Sequence, residues 1–217
     1  MPRTRRVWVP GHPHHFISRF VDRRFHLLDN TDRDFYLHSI GRATERWDWE
    51  ILSYALMSSH VHYGTLAGAV DPDRFFRSAH TRVACQFHKR HSPKTLGPVF
   101  AGRPASYLVH PTMRARMVGY HHRNPADAGV VARPRDSRWT SHRAYLRLDP
   151  APKWLNVARA LSYIGFDDTE SGRKQFDEFV IEGDFSGASE MGCGPFAEDR
   201  GYVFTTGAQD VCWSSIE

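Results

Sequence analysis

Two hydrophobic periods take turns along the N-terminal part of the chain. After the turn-forming Pro10-Gly11 and Pro13, the stretch His15-Phe16-Ile17-Ser18-Arg19-Phe20 alternates as a half-buried strand does. Thr31 to Asp34 has capping-box spacing, with Asp in place of Glu or Gln. The helix it predicts puts Tyr36, Ile40, Ala43 and Trp47 on one stripe. Glu50 to Met57 and His60 to Leu66 read as a hairpin of two buried strands turning at Ser58-Ser59. Asp71-Pro72 is an N-cap followed by proline at the first helical position. Its helix carries Phe76, Ala79, Val83 and Phe87 inward and ends in Lys89-Arg90-His91. Val99 to Val109 predicts another strand around Gly102-Arg103-Pro104, and Pro111 opens a third helix from Thr112 to about Arg123.

The predicted order, strand-helix-strand-strand-helix-strand and one further helix, is that of an α+β, ferredoxin-like fold. Such a fold has an antiparallel sheet with both helices on one face. After Asp149-Pro150-Ala151-Pro152 two short helices are expected, at 153–164 and 169–181, the second burying Phe176, Phe179 and Val180. Beyond Gly183 the periodicity disappears, which predicts an irregular tail. The expected division is therefore a main domain over 1–149, a helical accessory segment over 150–183 and a tail over 184–217.

Composition changes this picture through its distribution. The 217 residues carry 29 Lys+Arg against 24 Asp+Glu, a net charge of +5. Residues 1–150 hold 24 basic and 12 acidic side chains, net +12, whereas residues 151–217 hold 5 and 12, net −7. All 14 histidines lie in the first stretch. A basic, histidine-rich body points toward polyanions, nucleic acid before membrane. Cys85, Cys193 and Cys212 form no CxxC pair, which argues against a disulfide scaffold or zinc ribbon and suits a reducing cytosol. No apolar core follows the basic N-terminus, so no signal peptide is expected. The uncharged run Ile51–Val70 is long enough to span a bilayer, but Ser58, Ser59, His60 and His62 at its middle speak for buried strands of a soluble protein.

Three groups of residues could carry chemistry. In His60-Val61-His62 the two imidazoles project from one strand face and could share a metal ion, with manganese, zinc or a water-completed magnesium as candidates. Two structural histidines would look the same. Tyr120 and Asn124 lie one helical turn apart, so a nucleophilic phenol and a ligating amide could face one site. Equally, Tyr120 continues the apolar stripe of Met113 and Met117. The arginines Arg3, Arg5, Arg6, Arg19, Arg23, Arg24, Arg103, Arg114, Arg116 and Arg123 are the third group. Interleaved with Trp8, Phe16, Phe20 and Phe25, they suit phosphate contacts and stacking on unpaired bases. His14-His15 and His121-His122 are expected at the surface or behind the site.

Five ordered stretches then add up to a family resemblance: Pro10-Gly11 with His15-Phe-Ile-Ser-Arg19; Tyr54-Ala-Leu-Met-Ser-Ser-His60-Val-His62; Gly97-Pro-Val-Phe with Gly102-Arg103; Tyr120-His-His-Arg-Asn124-Pro125; and Arg138-Trp-Thr-Ser-His142. Over residues 3–148 the chain resembles the REP-associated tyrosine transposases, a bacterial branch of the single-tyrosine HUH transposases. The resemblance implies an HUH endonuclease fold that nicks and rejoins single-stranded DNA beside hairpins, as a monomer or homodimer. It implies Tyr120 as nucleophile, His60, His62 and Asn124 as ligands of Mg²⁺ or Mn²⁺, and a cytoplasmic, nucleoid-associated enzyme. Ser59 stands where the family often has Asn or Glu, and His121-His122-Arg123 follow the tyrosine where apolar residues are common. A domesticated hairpin-binding protein that no longer cuts, and a metal hydrolase using water as nucleophile, are the competing expectations.

Overall fold

The computed structural model describes residues 8–91, 97–185 and 202–203. Strand β1 (Pro13–Arg19), helix α1 (Asn30–Thr44), strands β2 (Glu50–Leu56) and β3 (His60–Leu66), helix α2 (Pro72–His91) and strand β4 (Ala105–Val109) follow in the expected order. The strands pair antiparallel as β2-β3-β1-β4, which is ferredoxin-like topology with β3 and β1 at the centre. A two-residue strand, β5 (Tyr202–Val203), extends the β4 edge. No described helix is long and apolar enough to cross a membrane.

Period-two alternation sorts side chains between two layers. Phe16 and Tyr63 face α1 and α2, where Phe16 meets Phe76 at 4.7 Å and Tyr63 meets Tyr36 at 6.3 Å between ring centres. His15, His62 and Gly64 take the other face, which helix α3 (Arg114–Asp127) covers. The further helix therefore completes a second layer instead of joining the first two. Gly64 permits its close approach, because a Cβ there would sit 2.6 Å from Ser53 Oγ and 2.8 Å from Met117 Cε. Met117 can swing aside, but Ser53 Oγ is engaged with His121 Nδ1 at 2.8 Å. Gly64→Ala is expected to cost about 1–3 kcal/mol through overpacking, read as a lower urea midpoint. An unchanged midpoint would mean that α3 yields freely at this contact.

Several boundaries differ from expectation, each for a physical reason. The N-cap of α1 is Asp29, not Thr31: its carboxylate accepts from Thr31 N at 2.6 Å. Asp29 and Asp32 both pair with Arg90 at the end of α2, so a tertiary charge contact shares in fixing this end. Helix α1 stops at Thr44, and Trp47 packs on the core from the turn beyond it. Strand β4 begins at Ala105, not Val99. Gly97 and Gly102 have positive φ (+88° and +150°), and Phe100 makes only an isolated bridge to Phe20. Helix α3 continues past Arg123 with Pro125 inside it. Proline forfeits one backbone bond, yet buried Asn124 and Pro125 hold the last turn.

The C-terminal segment is packed onto the body. After the single turn α4 (His142–Tyr145) come α5 (Val157–Ile164), capped by Asn156 and so starting later than 153, and α6 (Glu170–Glu182), capped by Thr169. Phe176 of α6 packs against Tyr145 and edge-on to His122, at 5.0 and 5.4 Å between ring centres. One hydrophobic core runs from Phe16 to Phe185. The expected irregular tail lies outside the described residues apart from Asp184, Phe185 and β5, as do Arg3, Arg5, Arg6, Cys193 and Cys212.

Candidate active site

Strand β3 carries His60 and His62 on one face, their ring centres 4.8 Å apart. Helix α3 lays Tyr120 over them, perpendicular to His62 at 5.5 Å. One turn on, Asn124 lies beside the Tyr120 hydroxyl and favours its ionised form. His60, Tyr120 and Asn124 open on a cavity of about 740 Å³, bounded by Met57 on one side and residues 181–185 on the other. His62 is buried beside them, at 3% exposure. The structure thus brings together the four residues that the sequence singled out for chemistry. Ser59, the departure from the family pattern, contacts His60 Nδ1 through its hydroxyl at 3.0 Å and orients that ring.

Behind these four lies a layer of histidines, one of the two places expected for them. His15 and His121, expected at the surface or behind the site, are fully buried against His62. His15 Nε2 and His62 Nδ1 share a hydrogen bond of 2.9 Å. His15, His62 and His121 are the metal-capable cluster of His, Cys, Asp or Glu among the described residues, with ligand nitrogens within 4.8 Å of one another. His15 Nδ1, His62 Nε2 and His121 Nε2 are buried with no hydrogen-bond partner. The available signal was positional: His15 and Gly64 are register partners on adjacent strands, and His121 falls one turn after Met117 on the sheet-facing side of α3.

Burial keeps these imidazoles neutral and their lone pairs free. It pushes His15 down to about 3, with His60 and Arg19 adding to the effect, and His60 down to about 4, with Arg19 adding. His62 and His121 lie well below the ordinary histidine value for the same first reason. Tyr120 is shifted upward by burial, opposed by its polar contact with Asn124 and by the charge of Arg19.

The arginines divide. Arg19 is exposed, is the register partner of His60, and acts electrostatically on Tyr120 and the histidines. Arg23 and Arg24 are exposed on the following loop, Arg24 lying 3.5 Å from Asp22. Arg103 pairs with Asp73 at 3.0 Å, and Arg114 lies over the Tyr163 ring. Arg116 donates to Asp184 O at 2.9 Å. Arg123, expected among the DNA contacts, lines the cavity with its side chain partly exposed. It donates to Asp127 Oδ1 at 2.8 Å, Gly183 O at 2.6 Å and Ile181 O at 3.2 Å, and so braces the C-terminal segment. His122, expected like His15 and His121 at the surface or behind the site, is buried against Ser141 Oγ at 2.7 Å and His142 Nδ1 at 3.2 Å. His142 continues to Asp177 at 2.9 Å, which also pairs with Arg135.

No family model and no curated protein matches the chain. Among solved structures it is similar to the REP-associated tyrosine transposase bound to a REP hairpin. That match has 21% identity and a TM-score of 0.53 over 72% of this chain and 90% of that one. A transposase candidate from Deinococcus radiodurans gives 17% identity and a TM-score of 0.40 over 55% of this chain and 95% of the other. Topology, the layer supplied by α3 and the first of these likenesses agree that the chain has the fold of the REP-associated tyrosine transposases.

Proposed function

We propose that the chain is a transposase-like enzyme that nicks and rejoins single-stranded DNA beside hairpins through a tyrosine–DNA ester, acting in the bacterial cytoplasm at the nucleoid. The observation that carries this reading is the joint opening of Tyr120, Asn124 and His60 on one cavity, beside the partnerless Nε2 of His62.

A divalent ion, Mg²⁺ or Mn²⁺, fits the donor set. His62 offers a buried, neutral nitrogen with nothing else to bind, and His60 and Asn124 border open space. An ion that must also meet a phosphate needs such an open position, which the fully buried His15–His62–His121 group lacks. We therefore assign His60, His62 and Asn124 to the metal and His15 to fixing the tautomer of His62. When bound, the ion supplies charge withdrawal at a non-bridging phosphate oxygen. The Tyr120 hydroxyl is the attacking group, with Asn124 one turn on and the positive potential of Arg19 beside it. Arg19 beside His60, and Arg23 and Arg24 on the loop that follows it, supply phosphate contacts.

The test is incubation of the protein with labelled hairpin DNA carrying unpaired flanks, in Mn²⁺ or Mg²⁺, followed by denaturation. A covalent protein–DNA band that disappears with chelator supports the proposal. Binding without any such band under either metal would make the protein a hairpin binder instead. The ligand assignment is checked separately by Mn²⁺ titration followed through the electron paramagnetic resonance of the free ion. His60→Ala is expected to lower affinity by more than about 100-fold, beyond the loss typical of an orienting partner. Unchanged affinity would move the ion to the His15–His62–His121 group.

A further inference from the structure

Between β1 and α1 the chain makes an excursion whose two ends return to one place. Phe20 N donates to Ser59 O and Leu27 N donates to Ser58 O, both at 3.1 Å. Ser58 and Ser59 are the two residues before His60, so the loop over residues 21–26 leaves and rejoins the sheet at the end that carries His60, with His26 packed on Phe87 of α2 at 4.6 Å. Closed loops of this kind are compact and often functional. Asp22 and Arg23 adopt consecutive left-handed conformations, with φ of +52° and +53°. Side chains other than glycine rarely do so, and such strain collects where a segment contacts a ligand.

The structure separates the aromatic residues that interleave with the N-terminal arginines. Phe16 and Phe20 are core residues, at 0% and 1% exposure, and Trp8 is partly buried. Phe25 alone among them stands out, at 66%, with Leu28 following at 67%. Arg19, Arg23 and Arg24 are exposed around it. The nearby carboxylates are matched to cations, Asp22 to Arg24 and Asp29 to Arg90. An apolar ring set in a positive rim is complementary to a nucleobase carried on a phosphate backbone. An apolar protein surface would gain nothing from the arginines.

We propose that Phe25 is a stacking platform for one unpaired base of the strand that enters the active site, with Arg23 and Arg24 on the phosphates beside that base. This rests on the reading of the protein as one that acts on single-stranded DNA. The test measures binding of full-length protein to hairpin DNA with unpaired flanks, in chelator so that the strand stays intact. Phe25→Ala is expected to weaken binding by about tenfold, and Phe25→Trp to restore it. A single abasic site walked along the flank should then weaken wild type at one position where Phe25→Ala is indifferent. If wild type binds and Phe25→Ala matches it within about twofold, or if its loss is the same at every abasic position, the platform is overturned and the enzyme reading stands. If wild type binds no such strand, both fall. A shift from dimer to monomer on Phe25→Ala, seen by sedimentation, would overturn the platform by making this loop a contact between two copies.

Discussion

Replacing Tyr120 by Phe is expected to abolish the covalent protein–DNA adduct while leaving the fold and DNA binding nearly unchanged. The ring is 8% exposed and packs edge-on against His62, contacts that phenylalanine keeps. What is lost is the hydroxyl and its polar contact with Asn124, at most about 1 kcal/mol of stability. The chemistry has no substitute. In the proposed reaction the phenolic oxygen bonds to phosphorus as the bond to the 3′-oxygen breaks, giving a 5′-phosphotyrosine and a free 3′-hydroxyl. The phenolic proton leaves in the same step, and attack by a 3′-hydroxyl reverses it without ATP. Removing a covalent nucleophile commonly costs about 10⁴-fold or more, which takes adduct formation below detection. Because burial shifts the Tyr120 proton loss upward, wild-type nicking should rise with pH through neutrality. Cleavage of the same DNA by the Phe variant at wild-type rate would transfer the role to water and favour a metal hydrolase.

Mild acid is expected to unfold the protein cooperatively, before its carboxylates titrate. Burial pushes His15, His80 and His142 each down to about 3, against an ordinary value of about 6.5 in the unfolded chain. Below that value the unfolded chain takes up protons that the folded rings refuse. Stability is therefore full above about pH 6.5 and declines as pH falls from there toward 3. One pH unit below 6.5, each ring costs about 1.4 kcal/mol and the three together about 4 kcal/mol, a large share of the 5–15 kcal/mol typical of a folded domain. His62, His121 and His122 are shifted in the same direction and add to the slope. Urea midpoints measured from about pH 7.5 to 4.5 should fall steeply below 6.5. A flat profile would mean that these rings carry charge in the fold.

The parts legible in the sequence are those governed by local period. The β2–β3 hairpin and its HxH follow from alternation and a two-serine turn, and the Tyr120–Asn124 pair follows from helical spacing. What stayed hidden depends on partners far along the chain. Histidine reads as polar, so the burial of His15, His121 and His122 shows only when Ser53, His62 and Ser141 arrive from other elements. Arg123 reads as a surface cation because its acceptors are backbone carbonyls at 181 and 183, which carry no sequence signal. Proline predicts a stop near Arg123, whereas the packing of the last turn holds Pro125 inside α3. The charge boundary at residue 150 marks a change of composition that the packing of Phe176 and Phe185 crosses without a break.

The line from Arg135 and Asp177 through His142 to His122 joins α6 to the helix that bears Tyr120. Its consequence concerns inheritance. A basic body and an acidic appendage look like pieces that a gene could gain, lose or exchange separately. Here the appendage supplies the carboxylate and the aromatic ring that complete a buried imidazole pair in the body. A gene cut at residue 150 would encode a Tyr120 helix lacking one wall. A chimera that exchanges the appendage is expected to keep its stability only if it carries both sides of the His142–Asp177 contact.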